Sequence, residues 1–219
     1  MEGNLINKIL CETFEKLYQA GLNTSKTGNI SARVGKTMII SPSGVAVSDI
    51  TPEKFVEVRI GDGGIVDGSL IPSSEWRFHH DIYHYFKENK AIIHTHSTYA
   101  TALSCLGMEL PPFHYMIATF GPGSVKCARY ETFGTAELSL SVRDAIKGSK
   151  VCLLANHGAI AIGESISEAY DNAVLLEELA KIYLISISAG KPTLLLKEEM
   201  LELKNKFTTY GKNNDFKAC

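Results

Sequence analysis

The segment Ala91-Ile92-Ile93-His94-Thr95-His96 decides how the rest of this 219-residue sequence is interpreted. Its apolar run predicts a buried β-strand that ends in two histidines. Side chains at positions i and i+2 of a strand project from the same face, so His94 and His96 can direct two imidazoles at one ion. His157 follows a second apolar run, and three protein ligands with one open position are typical of a catalytic zinc site. The pair alone would also fit two polar strand positions, so the hypothesis depends on its surroundings.

The composition predicts one globular domain. Hydrophobic residues make up 45% of the chain and charged residues 21%, which is ample material for a buried core. Twenty-two basic residues face 24 acidic ones, the formal net charge is −2, and neither sign forms a long block. Nucleic acid is therefore not expected as a partner.

The sequence shows no pattern of a secretory signal or a membrane span. The amino terminus has no basic region before an apolar core, and the apolar stretch 173–189 is interrupted by Glu177, Glu178 and Lys181. The five cysteines lie far apart and form no C-x-x-C pair, which is typical of reduced thiols. We therefore expect a cytoplasmic protein with no membrane partner and no cysteine-ligated zinc.

Periodicity predicts an α/β domain with a mixed sheet. Apolar positions at helical spacing predict helices over residues 4–20, 73–87, 98–106, 134–146, 166–189 and 197–207. Short β-rich runs predict strands over residues 29–34, 37–41, 55–60, 91–94 and 151–155. Because the elements show no sustained β-α-β alternation, we expect a single domain with a mixed, mainly antiparallel central sheet flanked by helices. It is expected to span residues 1–211, with residues 212–219 as a flexible C-terminal tail.

The tripeptide Ser73-Ser74-Glu75 lies where the second helix is expected to begin, directly after a proline. A serine in this place can cap the helix, and an acidic residue is favourable near the positive end of the helix dipole. Free backbone N–H groups and two hydroxyls can equally bind an anion beside the Glu75 carboxylate. The corners Gly28-Asn29 and Ser43-Gly44 also let a backbone approach an oxyanion, although ordinary turns use the same residues.

Seven segments in order, covering nearly the whole chain, carry a family resemblance. They are Thr27-Gly28-Asn29-Ile30-Ser31-Ala32-Arg33, Ser41-Pro42-Ser43-Gly44, Pro72-Ser73-Ser74-Glu75-Trp76-Arg77-Phe78-His79, Ile93-His94-Thr95-His96, His114-Tyr115-Met116-Ile117-Ala118, Thr132-Phe133-Gly134-Thr135 with Glu137-Leu138, and Asn156-His157-Gly158. In these segments the chain resembles the class II zinc aldolases of the fuculose-phosphate aldolase type, within the aldolase/adducin superfamily.

The resemblance implies a metal site and an aldehyde-lyase activity. It implies that His94, His96 and His157 bind Zn²⁺, and that Glu75 binds it at rest and acts as the base when substrate displaces it. The implied reaction is the reversible cleavage of a ketose 1-phosphate, with fuculose 1-phosphate favoured, to dihydroxyacetone phosphate and an aldehyde, here lactaldehyde. Zinc would stabilise the negative charge that develops beside the ketone, so no lysine Schiff base is needed.

The resemblance also implies a phosphate site and an oligomer. The implied phosphate ligands are Asn29, Ser43, Gly44, Ser73 and Ser74. Tyr115 matches the tyrosine that reaches into a neighbouring subunit's site and handles the proton on the aldehyde-derived oxygen. A homotetramer with sites at subunit interfaces is therefore implied. Without the resemblance, Tyr115 also fits a core or interface aromatic.

Three further histidines follow Glu75 on the same predicted helix. Residues 75 and 79 are i, i+4 neighbours, as are residues 80 and 84, and such pairs can chelate a metal. The resemblance gives His79, His80 and His84 no role, so we expect them on a partly solvated helical face.

Two other functional classes stay open. Ribulose-5-phosphate 4-epimerases, 5-deoxyribulose-1-phosphate aldolases and methylthioribulose-phosphate dehydratases resemble this chain and would keep the zinc histidines. Tyr99 stands where epimerases typically show another histidine, and the segment from His114 to Ala118 is typical of fuculose-phosphate aldolases, so an aldolase is favoured. A non-catalytic, adducin-like module would lack the metal histidines and the glutamate, which this chain retains.

Overall fold

This computed structural model describes residues 2–210 of the chain. An eight-stranded sheet forms the centre of the fold. Its strands are β1 (Asn29–Val34), β2 (Thr37–Ile40), β3 (Val56–Arg59), β4 (Ile65–Asp67), β5 (Ala91–Thr95), β6 (Cys127–Ala128), β7 (Val151–Leu154) and β8 (Gly158–Gly163). The strand order is β4-β3-β2-β1-β5-β8-β7-β6. Neighbours pair antiparallel except β6 and β7, which are parallel. The predicted mixed, mainly antiparallel sheet is confirmed; the predicted tail, residues 212–219, lies outside the described residues.

Helices cover both faces of the sheet. They are α1 (Glu2–Gln19), α2 (Trp76–Tyr85), α3 (Thr98–Cys105), α4 (Ala136–Ile146), α5 (Ile166–Ala189) and α6 (Lys197–Phe207). One buried apolar cluster joins the sheet to α1, α3 and α5, and the other joins it to α2 and α4. Within the described residues, no helix is long and apolar enough to cross a membrane.

Strand β5 lies at the centre of this arrangement and is buried throughout. Because helices cover both of its faces, its sequence is apolar on both, with Ile92 in one core cluster and Ile93 in the other. His94 shares the face of Ile92, which is the face covered by α2. The register sets His94 opposite Asn29 of β1 and Ile160 of β8. Strand alternation thus directs this histidine toward the start of α2.

The most informative difference from the predicted elements is β8, which the sequence patterns did not predict. Its sequence Gly158-Ala159-Ile160-Ala161-Ile162-Gly163 alternates small and branched residues between two glycines, and glycine disfavours strands. The structure explains the second glycine by close packing. A Cβ on Gly163 would lie 2.6 Å from the backbone nitrogen of Ala169 in α5. Gly163 is therefore needed because α5 packs closely against β8, and it does not mark a turn.

Candidate metal centre

Four side chains converge at the end of the central strands. Nitrogens of His94, His96 and His157 and an oxygen of Glu75 all lie within 4.8 Å of one another. His94 Nε2 lies 2.9 Å from His96 Nε2 and 3.1 Å from Glu75 Oε2, and His157 Nε2 lies 3.2 Å from Glu75 Oε1. Tetrahedral zinc with bonds of about 2.0–2.1 Å separates its ligand atoms by about 3.3 Å. The structure therefore brings together the four predicted metal ligands at a spacing that fits one ion.

Each of these groups is held by a different backbone feature. His94 lies on β5 and His96 follows the strand directly. His157 lies in the turn between β7 and β8, where Asn156 adopts a left-handed backbone with a φ of 54°. Glu75 is the residue before α2. The arrangement thus depends on the pairing of β5 with β8 and on the start of one helix.

Hydrogen bonds show that the donor atoms suit a cation. The Nδ1–H of His94 donates to the carbonyl oxygen of Ala159 at 2.9 Å, so Nε2 is the nitrogen that faces the other three groups. Glu75 Oε1 is buried and accepts no well-oriented hydrogen bond within the described residues, although His157 Nε2 lies 3.2 Å from it. A buried carboxylate oxygen without a donor is satisfied by a cation. Three imidazoles and a carboxylate are a donor set that zinc accepts.

In the centre without an ion, Glu75 and His96 are in the protonation states that a metal site needs, whereas Glu75 raises the pKa of His94 against the effect of burial. Burial alone would raise the pKa of Glu75, but His94 and His157 outweigh it and hold that pKa well below its ordinary value. Burial, followed by the charges of His94 and His157, lowers the pKa of His96 to about 4. At neutral pH the centre therefore holds an ionised carboxylate and a His96 with a free lone pair.

A cavity of about 310 Å³ opens beside the cluster. Its lining residues are Ser74, Glu75, His96, Tyr130, Glu131, Phe133, Asn156 and His157. The loop that carries Phe133 packs on the turn before α2, where a Cβ on Gly134 would lie 2.9 Å from the carbonyl oxygen of Ser74. Gly134 also has a φ of 76°, which favours glycine. The cavity has the size of a small-molecule site.

Four of the five predicted phosphate ligands lie on two segments that pair beside Glu75. The backbone N–H of Ser43 donates to the carbonyl oxygen of Ile71, and that of Ser73 donates to the carbonyl oxygen of Ser41, each at 3.0 Å. Gly44 follows with a φ of 70°. The fifth, Asn29, donates from Nδ2 to Glu75 Oε2 at 3.0 Å. Asn29, Ser73 and Ser74 thus adjoin Glu75 or the cavity, whereas Ser43 and Gly44 lie on the segment that pairs with residues 71–73.

The predicted start of the second helix at residue 73 is wrong. Helix α2 begins at Trp76, and Glu75 occupies the capping position without a side-chain cap. The hydroxyl of Ser73 instead accepts a hydrogen bond from the backbone N–H of Glu75 at 3.3 Å. Ser73 therefore shapes the turn that carries Glu75 and is not the helix cap.

Tyr115 is the predicted site residue that the structure does not bring to the cluster. It begins a short 3₁₀ helix, Tyr115–Thr119, is half exposed and is absent from the cavity lining. Its ring stacks on Phe207 of α6, with centroids 6.2 Å apart. Within one chain, its hydroxyl is therefore not part of the centre.

The expectation for His79 is wrong. His79 is fully buried, whereas His84 is exposed and His80 is half-buried beside Asp81. His79 Nδ1 lies 2.7 Å from Ser31 Oγ, and the ring stacks on Phe78 with centroids 4.8 Å apart. Its spacing from Phe78, Ile82 and Tyr83 puts it on the inward stripe of α2. That spacing is the sequence signal that would have identified a buried histidine.

The buried state of His79 makes stability depend on pH. Burial, and then the charge of His94, lowers its pKa from 6.5 to about 3. Between these values the unfolded chain binds a proton that the folded chain does not, so stability is present above pH 6.5 and falls as pH drops toward 3. We expect this residue to remove about 1.4 kcal/mol from the free energy of unfolding per pH unit in that range.

Urea unfolding at pH 7.5 and pH 5.5 measures this effect. The wild-type protein should lose more stability between the two pH values than a His79→Gln variant, because glutamine takes up no proton. Equal losses in the two proteins would contradict a neutral, buried His79.

Two further positioning residues were not identified from the sequence. The side chain of Asn23 is buried, and its Oδ1 accepts a hydrogen bond from the backbone N–H of His96 at 3.1 Å. Glu177 of α5 accepts the backbone N–H groups of Tyr99 and Ala100 at 2.8 Å each, and so caps α3 directly after the histidine pair. Neither residue lies near the histidines in sequence, so only the tertiary structure reveals these contacts.

Gly158 sets the separation of the strands that carry the histidines. A Cβ there would overlap the backbone oxygen of Thr95 and lie 3.3 Å from His96 Cδ2. A Gly158→Ala substitution should push β8 away from β5, lower the free energy of unfolding by about 1–3 kcal/mol and weaken metal binding. Urea unfolding and zinc titration measure both. Gly61→Ala is the control, because a Cβ there meets nothing within 4 Å; equal stability of the two variants would contradict the prediction.

Comparison with known proteins shows the family to which this chain belongs. The family model described as class II aldolase and adducin N-terminal domain matches residues 8–184. A 5-methylthioribulose-1-phosphate/5-deoxyribulose-1-phosphate aldolase of Rhodospirillum rubrum is 42% identical over 204 residues, covering 93% of this chain and 91% of the relative. An L-fuculose phosphate aldolase of Escherichia coli is 38% identical over 212 residues, covering 96% of this chain and 98% of the relative.

A solved structure gives the same answer for the fold. An L-fuculose 1-phosphate aldolase superimposes with a TM-score of 0.90 at 37% identity, covering 93% of this chain and 96% of that one. The family resemblance and the aldehyde-lyase class predicted from the sequence are both confirmed, since these relatives are aldolases. The chain therefore belongs to the family of class II aldolases and adducin N-terminal domains.

Proposed function

We propose that this protein is a zinc-dependent class II aldolase that reversibly cleaves a ketose 1-phosphate to dihydroxyacetone phosphate and an aldehyde. One observation carries the proposal. Three imidazole nitrogens and a carboxylate oxygen converge within 4.8 Å at the wall of a cavity of about 310 Å³. That donor set and an adjacent cavity are what a Lewis-acid reaction on a small metabolite requires.

The proposed roles follow from the positions of the groups. A zinc ion held by His94, His96 and His157 would supply a Lewis acid for the charge that develops on the substrate's carbonyl oxygen. Glu75 is the proposed base. In the synthetic direction it takes a proton from the carbon beside the ketone, and in cleavage it returns a proton to that carbon. Its carboxylate lies 3.1 Å from His94 Nε2 and 3.2 Å from His157 Nε2, so it would be beside a substrate that displaces it from the metal.

The phosphate is proposed to bind beside Glu75. Asn29, Ser43, Gly44, Ser73 and Ser74 form the proposed binding set. The pairing of the two segments that carry Ser43 and Ser73 supports this assignment, because it places neutral donors next to the base. Binding there would set the reacting carbon at a fixed distance from Glu75.

Two substrate classes have support. We favour fuculose 1-phosphate, with lactaldehyde as the released aldehyde, in line with the Escherichia coli relative. The Rhodospirillum rubrum relative supports 5-deoxyribulose 1-phosphate and its methylthio analogue as the second candidate. Tyr130 and Phe133 at the cavity offer apolar contacts to the far end of either substrate. A single methyl or hydroxyl group changes such selectivity by about 1–3 kcal/mol.

We propose a homotetramer in which Tyr115 completes the site of a neighbouring subunit. Its absence from the cavity lining and its half-exposed ring support this assignment. A Tyr115→Phe variant should lose more activity in aldol cleavage than in proton exchange on dihydroxyacetone phosphate, because only cleavage needs a proton carrier at the aldehyde oxygen. Coupled cleavage assays and NMR exchange rates measure the two reactions. Equal losses in both would contradict the role.

A cytoplasmic location and the absence of nucleic-acid and membrane partners remain part of the proposal. Among the described residues, the cysteines Cys11, Cys105, Cys127 and Cys152 are all free thiols, which suits a reducing compartment.

A substrate panel tests the proposed function. Zinc-loaded protein is incubated with fuculose 1-phosphate, 5-deoxyribulose 1-phosphate and ribulose 5-phosphate, with coupled detection of dihydroxyacetone phosphate and NMR of the sugars. Release of dihydroxyacetone phosphate that stops on chelation would support the aldolase, and the relative rates would identify its substrate. Conversion of ribulose 5-phosphate to its epimer without cleavage, or no reaction, would contradict it.

A further inference from the structure

A buried chain of hydrogen bonds runs from the core to Glu75. We propose that His79 is a positioning residue that acts through Asn29 and fixes the direction of the Glu75 carboxylate. The inference rests on the proposed function, because it concerns the group assigned there as the base. His79 does not reach the cavity itself: it is fully buried and absent from the cavity lining.

The chain has four links, all between buried side chains. Tyr83 Oη lies 2.9 Å from Ser31 Oγ, and Ser31 Oγ lies 2.7 Å from His79 Nδ1. His79 Nε2 lies 2.5 Å from Asn29 Oδ1, and Asn29 Nδ2 lies 3.0 Å from Glu75 Oε2. Tyr83, Ser31 and His79 are 0% exposed, and Asn29 and Glu75 are 3% and 7% exposed. Water therefore does not compete for these groups.

The chemistry of the last link fixes the direction of every other link. An ionised carboxylate only accepts, so Asn29 must turn its NH₂ toward Glu75 and its oxygen toward His79. That oxygen also only accepts, so His79 carries its proton on Nε2. A neutral ring then has a lone pair on Nδ1, which Ser31 must satisfy as donor, and the Ser31 oxygen accepts from Tyr83. The chain thus has one proton order, with every donor pointing toward Glu75.

This order determines which atom of the Asn29 amide faces Glu75. With its oxygen held by His79, the amide turns its nitrogen toward Glu75 and donates one N–H group to that carboxylate. The second is available to the phosphate that Asn29 is proposed to bind. Without the His79 donor, rotation of the amide by half a turn would place its oxygen against the carboxylate and the phosphate, which is repulsive. His79 thereby fixes the orientation of the Asn29 amide, which donates to Glu75 and is proposed to donate to the phosphate.

The ring itself has little freedom to move. It stacks on Phe78, with an angle of 22° between the ring planes, and it lies between α2 and β1 through its contact with Ser31. Removal of a residue that hydrogen-bonds to a site residue commonly lowers activity by about 10–100-fold. We expect a loss of that size from removal of the His79 donor.

The proton order can be measured directly. Long-range ¹H–¹⁵N correlation of histidine-labelled protein distinguishes the two neutral tautomers and the cation, and the His79 signals are those lost in His79→Gln. A neutral ring protonated on Nε2 is expected from pH 6 to pH 8, with or without zinc. A ring protonated on Nδ1, or a cationic ring at pH 7, would overturn the inference without any activity assay.

A double-mutant cycle tests the route through Asn29. His79→Phe keeps a stacked ring but removes the donor, and it should lower kcat/KM by about 10–100-fold at unchanged zinc content. His79→Gln, which keeps an N–H donor, should recover part of that loss. In the Asn29→Ala background, His79→Phe should cost nothing further, because its effect passes through the missing amide. The control is His84→Phe, an exposed position on the same helix.

The outcomes separate this inference from the proposed function. Losses that multiply in the double variant, or a Gln variant as poor as the Phe variant, would overturn the role of His79 while the wild-type protein still cleaves its substrate. A wild-type protein without zinc-dependent cleavage would overturn the proposed function and this inference together.

Discussion

Replacement of Glu75 by glutamine is expected to leave zinc bound and to lower the cleavage rate by about 10²–10⁴-fold, the usual contribution of a general base. Glutamine has nearly the same shape, and the three histidines still provide a complete ligand set. Its amide cannot take a proton from carbon. The same loss should appear in proton exchange on dihydroxyacetone phosphate, because that exchange needs the base but no aldehyde.

Metal analysis, circular dichroism and the coupled cleavage assay measure the three parts of this expectation. The informative comparison is Glu131→Gln, which changes the other carboxylate at the cavity. Full activity of Glu75→Gln would contradict its role as the base. A larger loss in Glu131→Gln would transfer that role to Glu131.

Replacement of His94 by alanine is expected to abolish stoichiometric zinc binding and cleavage together. His94 is fully buried, its Nδ1–H is held by Ala159, and its Nε2 contacts both His96 and Glu75. Alanine removes this central ligand and leaves Glu75 without one of its two histidine partners, which is costly for a buried charge. The remaining two histidines give an incomplete set for a catalytic zinc ion.

Equilibrium dialysis against zinc and the cleavage assay test this prediction. His84→Ala serves as the control, since His84 is exposed on α2. It should retain the metal and the activity. A His94→Ala protein that still binds one zinc ion per chain and cleaves its substrate would contradict the proposed centre.

The sequence could predict the parts of the site that depend on local periodicity. The alternation of a strand places His94 and His96 toward one point, and the structure shows that His157 joins them because β8 pairs with β5. The helices and most strands also follow from apolar spacing. Their order in the sheet does not, because β5 pairs with strands that are distant in sequence on both sides.

The misjudged residues are those whose role is set by tertiary contacts. His79 is polar and so suggested a solvated helix face, yet partners from β1 satisfy both of its ring nitrogens. Strand β8 was not predicted because its glycines and alanines are not typical of strands. They are needed because α5 packs closely against β8, and the local sequence does not show this contact. The position of Tyr115 away from the cavity likewise could not be inferred, because it depends on the packing of α6 on the 3₁₀ helix.

The spread of the ligand groups along the chain has a consequence for folding. Glu75 and His157 lie on opposite sides of the sequence midpoint, and the histidines meet only after β8 has docked on β5. At the proposed centre, a growing polypeptide would therefore acquire its full set of ligands only after most of it has been synthesised and its sheet has formed. Zinc would then act as a late cross-link that binds only native chains, adding about 2.7 kcal/mol of stability at a hundredfold excess over its dissociation constant. Metal supply would thus influence how long each molecule survives proteolysis as well as how fast it works.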